Sequence, residues 1–338
     1  MSNVAIFGAS GFVGAELLRL LAQHPGLTPT KLFADASAGK RLDEVHPHLA
    51  LAYPNAAFER YEEGALDGVD MAFAALPHGQ SQDLAATILD RGLSLVDLGA
   101  DFRLRDPAAY ERWYGEPHRA PELLDRFVYG IPELHRDAIA ASRAVAAAGC
   151  YPTAAILALK PLIDAGLVRP ESIVVDAISG VSGAGKGLRE STHFNTVAES
   201  VSAYGLLSHR HTAEMESSLG ASVLFTPHLA PVNRGILATC YGEATGPMAA
   251  DAPLNALRAA YADERFVHVS DQPPSTKWTL GSNAVHVTAQ YDARTGRVLA
   301  VAALDNLVKG AAGQMIQCAN LMLGLDETAG LTTCGVYP

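Results

Sequence analysis

The sequence predicts an α/β chain in two parts: a doubly wound parallel-sheet domain, then an α+β domain with a mainly antiparallel sheet. Two patterns and one length carry this expectation. Over roughly the first 145 residues, short apolar runs alternate with amphipathic stretches, as when parallel strands are joined by crossover helices. From residue 222 to residue 304, strand-like runs follow one another with one helix-like segment, 253–261, among them. The 338 residues exceed the usual size of one domain. The expected division is 1–148 for the first domain and 149–310 for the second, with a C-terminal helical segment, 311–338, packing back on the first.

Composition narrows the function classes. Apolar residues make up 49% and charged residues 18%, which is core-forming and globular. A formal net charge of −11 argues against nucleic acid, an anionic membrane surface or an acidic protein partner, and leaves small anionic ligands open. No apolar run is long enough for a transmembrane helix, and the N-terminus lacks the basic region of a signal peptide. Cys150, Cys240, Cys318 and Cys334 show no CxxC spacing, so neither zinc nor a disulfide framework is expected. That usage fits a reducing cytoplasm.

The first element is the apolar run 4–7, closed by Gly8-Ala9-Ser10-Gly11-Phe12-Val13-Gly14 and followed by an amphipathic stretch carrying Leu17, Leu18, Leu20 and Leu21. Strand, glycine turn and helix in that order form a Rossmann-type dinucleotide signal, because glycines let backbone N–H groups approach a pyrophosphate at a helix N-terminus. The spacing is GxxGxxG rather than GxGxxG. A second strand over 30–34 ends at Asp35, placed to hold a ribose hydroxyl, whereas Ser37, Lys40 and Arg41 just beyond suit a 2′-phosphate. A third strand, 70–76, is closed by Pro77-His78-Gly79, at the strand end where such sheets bind ligands. A helix over 82–91 and a strand over 93–98 lead to Gly99-Ala100-Asp101-Phe102-Arg103. The Arg103 guanidinium suits carboxylate or phosphate, or an ion pair with Asp101 or Asp106. Residues 113–135, rich in Pro, Gly and aromatics, read as an insertion or connecting segment.

Ala146-Ala147-Ala148-Gly149-Cys150-Tyr151-Pro152 then delivers one cysteine to a point at or just before a helix start, since Pro152 suits the first helical position. The partial positive charge of a helix N-terminus favours a thiolate there. A cysteine among alanines also reads as a small buried hydrophobe. Beyond a strand over 172–178, the loop Ser179-Gly180-Val181-Ser182-Gly183-Ala184-Gly185 offers N–H groups and hydroxyls to an anion, though it is not a P-loop. Ser208-His209-Arg210-His211 precedes a helix-like segment containing Glu214, and a histidine close to a cysteine in space is a general acid/base. Strands are expected over 222–225, 235–241, 266–269, 284–287 and 298–304. Asn306 precedes a small-residue turn, where it could cap the helix or bond an amide.

These motifs, in this order along essentially the whole chain, resemble the aspartate-semialdehyde dehydrogenase-like family, and within it the branch that serves arginine biosynthesis. The resemblance rests on GASGFVG from Gly8, Leu76-Pro77-His78-Gly79, Gly99-Ala100-Asp101-Phe102-Arg103-Leu104, Gly149-Cys150-Tyr151-Pro152-Thr153, the 179–185 loop, His209-Arg210-His211-Thr212, residues 235–239 and Asp305-Asn306-Leu307-Val308-Lys309-Gly310. It implies a cytoplasmic homodimer or homotetramer that reduces N-acetyl-γ-glutamyl phosphate with NADPH, through a thioester on Cys150 and with His211 as acid/base. It further implies that NADP is held by Gly8, Ser10, Gly11, Phe12, Val13, Gly14, Ser37, Lys40, Pro77, His78, Ser182, Gly183 and Asn306, with no metal. Substrate contacts would fall to Arg103, His209 and Glu214. Thr212-Ala213-Glu214 departs from the commoner Thr-Pro-Glu and also suits lysine-pathway relatives acting on a carrier-linked acyl phosphate. An inactive dinucleotide-binding regulator is the alternative outside enzymes, and a cysteine acyltransferase or amidase leaves the glycine turn unexplained.

Overall fold

The computed structural model describes residues 1–62 and 64–338 and divides into two units, 1–148 with 311–331 and 149–310 with 332–338. The first unit holds six strands: β1 (Ser2–Phe7), β2 (Leu27–Phe33), β3 (Met71–Ala74), β4 (Ser94–Asp97), β5 (Val128–Gly130) and β6 (Ala144–Ala147). They pair in the order β2-β1-β3-β4-β6-β5, every pair parallel. Helices α1 (Phe12–Leu21), α2 (Leu42–Val45), α3 (Ser81–Asp90), α4 (Pro107–Tyr114) and α5 (Pro132–Ala140) lie between the strands in sequence. The chain leaves β1 for β2 on one side, then returns to β3 on the other. The carboxyl ends of β1 and β3 therefore flank the topological switch point, where doubly wound sheets bind ligands.

Two sequence expectations change here. β2 begins at Leu27 rather than residue 30, and the β1–β2 register shifts where Val4 faces Pro29 and Ala5 faces Lys31. Proline gives no N–H to a ladder, so it is confined to an edge strand or a bulge, and here it has both. The segment 113–135 is not an insertion: its Val128–Gly130 stretch is the edge strand of the sheet.

The second unit opens with α6 (Cys150–Asp164) and continues through β7 (Ile173–Gly180), α7 (Phe194–Val197), β8 (Ser202–Ala203), α8 (His211–Leu219), β9 (Val223–Ala230), β10 (Ile236–Glu243), α9 (Ala252–Ala260), β11 (Val267–Val269), β12 (Val285–Asp292) and β13 (Arg297–Leu304). The sheet order is β11-β12-β13-β10-β7-β9-β8. It is mixed: β11–β12 and β7–β9 are parallel and the other pairs antiparallel. One face packs under α6, α8 and α9. The opposite face leaves Ile178, Leu224 and Leu299 exposed.

α6 runs through Pro161. Proline there removes the N–H that would bond the Leu157 carbonyl one turn back. The Tyr261 hydroxyl donates to that carbonyl at 2.7 Å in its place. A π-helical turn, Val308–Ala312, then carries the chain back into the first unit, where α10 (Gly313–Met322) packs on α5, β4, β5 and β6. The expected helical segment 311–338 is shorter, and 332–338 belongs with the second unit, where the Asn283 N–H bonds the Thr332 carbonyl and the Val336 N–H the Leu280 carbonyl.

Candidate active site

In the first unit the glycine turn after β1 is shaped by close approach. Gly8 sits at φ +79°, and a Cβ on it would lie 2.3 Å from the Ala75 carbonyl oxygen. A Cβ on Gly14 would lie 2.5 Å from the Gly8 carbonyl oxygen, so the turn and the start of α1 fold onto each other only with glycine at both places. Gly11 is the cap residue of α1 with no side-chain acceptor, Phe12 and Val13 open the helix, and Ser10 lies within the turn. This glycine cradle beneath a helix N-terminus fits a dinucleotide pyrophosphate. After β2, a 3₁₀ turn (Asp35–Ser37) precedes Lys40, and both Asp35 and Lys40 are exposed. Arg41 instead forms a two-point pair with Asp43, at 2.9 and 2.6 Å.

At the end of β3, the Pro77-His78-Gly79 turn is gathered by one fully buried carboxylate. Asp101 accepts the Gly79 N–H at 2.8 Å, the Ser81 N–H at 3.1 Å and the Tyr110 hydroxyl at 3.1 Å. His78 lies between Asp101 (3.3 Å) and Glu116 (3.2 Å). Asp97, also fully buried, accepts the Ser81 hydroxyl and the Gly99 N–H. Burial pushes its carboxyl up to about 7, against the pull of the Ser81 hydrogen bond. Arg103, expected to face a substrate anion, is buried; its Nη2 donates to the Leu98 carbonyl at 2.6 Å and its charge acts on Asp97. Sequence reading missed Asp97, Tyr110 and Glu116, because only the fold brings them to this turn.

In the second unit Cys150 is the first residue of α6 and is half-buried, with Gly149 as the cap. Pro152 falls at the third helical position rather than the expected first, still among the N–H groups that lack helical partners. His211 is likewise the first residue of α8. The two helix starts are tied together. The buried Glu214 carboxylate, in the first turn of α8, accepts the Gly149 N–H at 2.6 Å. The His211 ring meets the ring of Tyr151, the neighbour of Cys150, with centroids 5.9 Å apart. Glu214 was expected at the substrate; its Oε1 is engaged at the cap of the cysteine's helix. Gly310 closes in from the opposite end of the sequence, where a Cβ would stand 2.8 Å from the Cys150 Cβ.

Sequence reading did not find the aromatic box around the histidines. His209 packs edge-on against Tyr151, Tyr204 and Phe225, and the Tyr204 hydroxyl donates to that of Tyr151, which donates to the His228 carbonyl. Burial pushes the Tyr204 phenol up to about 12, and raises Tyr151 further. The Tyr151-Pro152 dipeptide was visible beside the cysteine, but Tyr204 and Phe225 carry no local signal. In the glycine-serine loop, Asn306 acts as a clasp. Its Oδ1 accepts the Gly235 N–H at 2.7 Å and its Nδ2 donates to the Ser182 hydroxyl at 3.0 Å. A Cβ on Gly183 would lie 2.8 Å from the Ser179 hydroxyl oxygen. Asn306, expected to bond a cofactor amide, thus fixes the loop that carries Ser182 and Gly183. Among the described residues no group of three His, Cys, Asp or Glu side chains could hold a metal ion, and no helix is long and apolar enough to cross a membrane.

A glycine-turn parallel sheet followed by a mixed-sheet unit that opens on a cysteine defines a class of dehydrogenase. The chain belongs to the semialdehyde dehydrogenase family: residues 3–142 match its NAD binding domain and residues 150–306 its dimerisation domain. Within that family it is similar to proteins named N-acetyl-gamma-glutamyl-phosphate reductase. It is 47% identical to that of Desulforudis audaxviator (strain MP104C), over all of both chains, and 46% identical to that of Rhodospirillum rubrum, over 99% of each. The fold is shared with aspartate semialdehyde dehydrogenase II of Vibrio cholerae complexed with ASA, at TM-score 0.71 and 21% identity over 96% of this chain and 98% of that one. It is shared also with the Candida albicans aspartate semialdehyde dehydrogenase with NADP, at TM-score 0.72 and 16% identity over 96% and 98%.

Proposed function

We propose that this enzyme reduces N-acetyl-γ-glutamyl phosphate to N-acetylglutamate semialdehyde and phosphate in arginine biosynthesis, with NADPH as the preferred reductant. The observation that carries the reading is the Cys150 thiol at a helix start tied through Glu214 to the helix start that bears His211. The helix N-terminus favours the thiolate. Thiolate attack on the acyl carbon forms a C–S bond, breaks the bond to the phosphate oxygen and leaves a thioester on Cys150. When bound, the dinucleotide supplies hydride. His211 gives a proton to the oxygen of the reduced thioester, then takes it back as the C–S bond breaks and the aldehyde leaves.

Gly8, Ser10, Gly11, Phe12, Val13 and Gly14 would cradle the pyrophosphate, with Pro77 and His78 beside the switch point. Ser37 and Lys40 would face a 2′-phosphate. The same reading makes the protein a cytoplasmic homodimer or homotetramer. A partner copy would cover the exposed Ile178, Leu224 and Leu299 of the sheet face and the apolar side chains of Leu188, Phe194, Val201, Leu206 and Leu207.

The test is the reverse reaction, NADPH formation from N-acetylglutamate semialdehyde and phosphate, beside aspartate semialdehyde and a carrier-linked analogue. Turnover of the N-acetyl compound at least about tenfold faster than the others is expected, and its loss in Cys150→Ser. Preference for either competitor, or near-wild-type turnover in that variant, overturns the reading.

A further inference from the structure

We propose that His209 is a positioning residue for His211, a neutral ring that fixes the start of α8, rather than a charged group that holds the substrate's anion. The inference rests on the assignment of His211 to proton transfer. The first N–H groups of a helix have no acceptor inside it, and the side chain of Arg210, at the cap position of α8, does not cap them. His209 supplies two acceptors instead. Its ring Nδ1 takes the His211 N–H at 3.2 Å, and its carbonyl takes the Thr212 N–H at 3.0 Å. A ring nitrogen that accepts a hydrogen bond carries no proton, so the imidazole is the Nε2–H tautomer.

The surroundings hold that state. Ring centroids of His211, Phe225, Tyr204 and Tyr151 lie 4.8, 5.3, 5.5 and 5.8 Å from that of His209. Gly205, at φ +56°, lets the backbone approach so closely that a Cβ would stand 3.3 Å from the His209 Cδ2. Burial, and then the charge of Arg210, pull the ring down to about 4. A tilt of this ring would move the first turn of α8, and with it the point from which the His211 side chain leaves the helix.

Two substitutions separate the roles. His209→Asn places an amide oxygen close to where Nδ1 stands, and His209→Phe fills the box without an acceptor. In the forward reaction, kcat should fall about tenfold in His209→Phe with KM for the acyl phosphate nearly unchanged, and recover to within about threefold of wild type in His209→Asn. Equal impairment of both variants, or a raised KM with kcat retained, overturns the proposal. A measurement on the wild-type enzyme is independent of how either variant folds: ring-nitrogen NMR should show His209 as the Nε2–H tautomer from pH 8 to pH 5.5. An imidazolium forming at His209 within that range overturns it. His211→Asn checks the underlying assignment separately: retained kcat there removes the proton-transfer role of His211, whereas the His209 tautomer still reports on His209 itself.

Discussion

Gly310 leaves no room for a side chain beside Cys150: a single added methyl would stand 2.8 Å from the Cys150 Cβ and 3.3 Å from its Cα. Neither partner can retreat cheaply. The Gly310 N–H bonds the Asp305 carbonyl, and the buried Asp305 carboxylate takes the N–H groups of Leu307, Val308 and Gly281. Cys150 for its part is set by the Glu214 bond to Gly149. Gly310→Ala should therefore displace the thiol by a few tenths of an ångström and lower kcat about ten- to a hundredfold. Steady-state kinetics beside dinucleotide titration checks this. Unaltered kcat would show that the turn yields without moving the cysteine.

The hydroxyl of Tyr261 replaces the hydrogen bond that Pro161 deletes from α6. Tyr261→Phe leaves the Leu157 carbonyl buried and unpaired, which costs about 1–3 kcal/mol. Urea unfolding should report that loss. Pro161→Ala, which restores the helical N–H, should make the Tyr261→Phe change less costly; equal costs in both backgrounds would argue against the exchange of partners.

Asp97 gives stability a pH dependence of definite sign. Its native carboxyl titrates at about 7, against 3.8 when unperturbed. Between these values the folded state holds more protons than the unfolded state, so this group's contribution falls as pH rises from about 4 to about 7. Asp97→Asn mimics the protonated acid. The variant should gain on wild type by up to a few kcal/mol between pH 5 and pH 8, read from urea midpoints at both. Parallel midpoints at the two pH values would remove Asp97 as the source.

The proposed preference for NADPH turns attention to the exposed Lys40. Arg41 is engaged by Asp43, which leaves Lys40 as the candidate for a 2′-phosphate. Lys40→Ala should raise KM for NADPH about five- to tenfold, with little change for NADH, as expected for one charge-assisted contact. Equal effects on the two cofactors, or a wild-type preference for NADH, would shift the assignment to the Asp35 carboxylate.

Local chemistry made much of this legible. The glycine spacing from Gly8 to Gly14, the helix start at Cys150 and the alternation of strands follow from rules that act over a few residues, and the sequence displays them directly. What stayed hidden depends on residues far apart in the chain. Arg103 reads equally as an anion ligand or an ion-pair partner, and its burial with a bond to the Leu98 carbonyl shows only in the fold. Asn306 reads as a helix cap or an amide partner, and the fold brings it Gly235 and Ser182. The helix runs on through Pro161 because of a hydroxyl a hundred residues away, at Tyr261, which no local pattern displays. The edge strand at Val128–Gly130 was lost because three residues are too few for any periodicity to show.

The route of the chain has a consequence for how the protein is made. α10 is almost wholly buried and packs on β4, β5, β6 and α5, yet it is synthesised after the entire second unit up to Gly310. A ribosome that has finished the first 148 residues has released a parallel sheet whose covering helix does not yet exist. The second unit can close most of its core first, and the first must wait with an apolar face open. A nascent chain stalled before residue 313 should thus bind chaperones through its β4–β6 region, and an N-terminal fragment ending at residue 148 should be insoluble unless the 311–331 peptide is supplied with it.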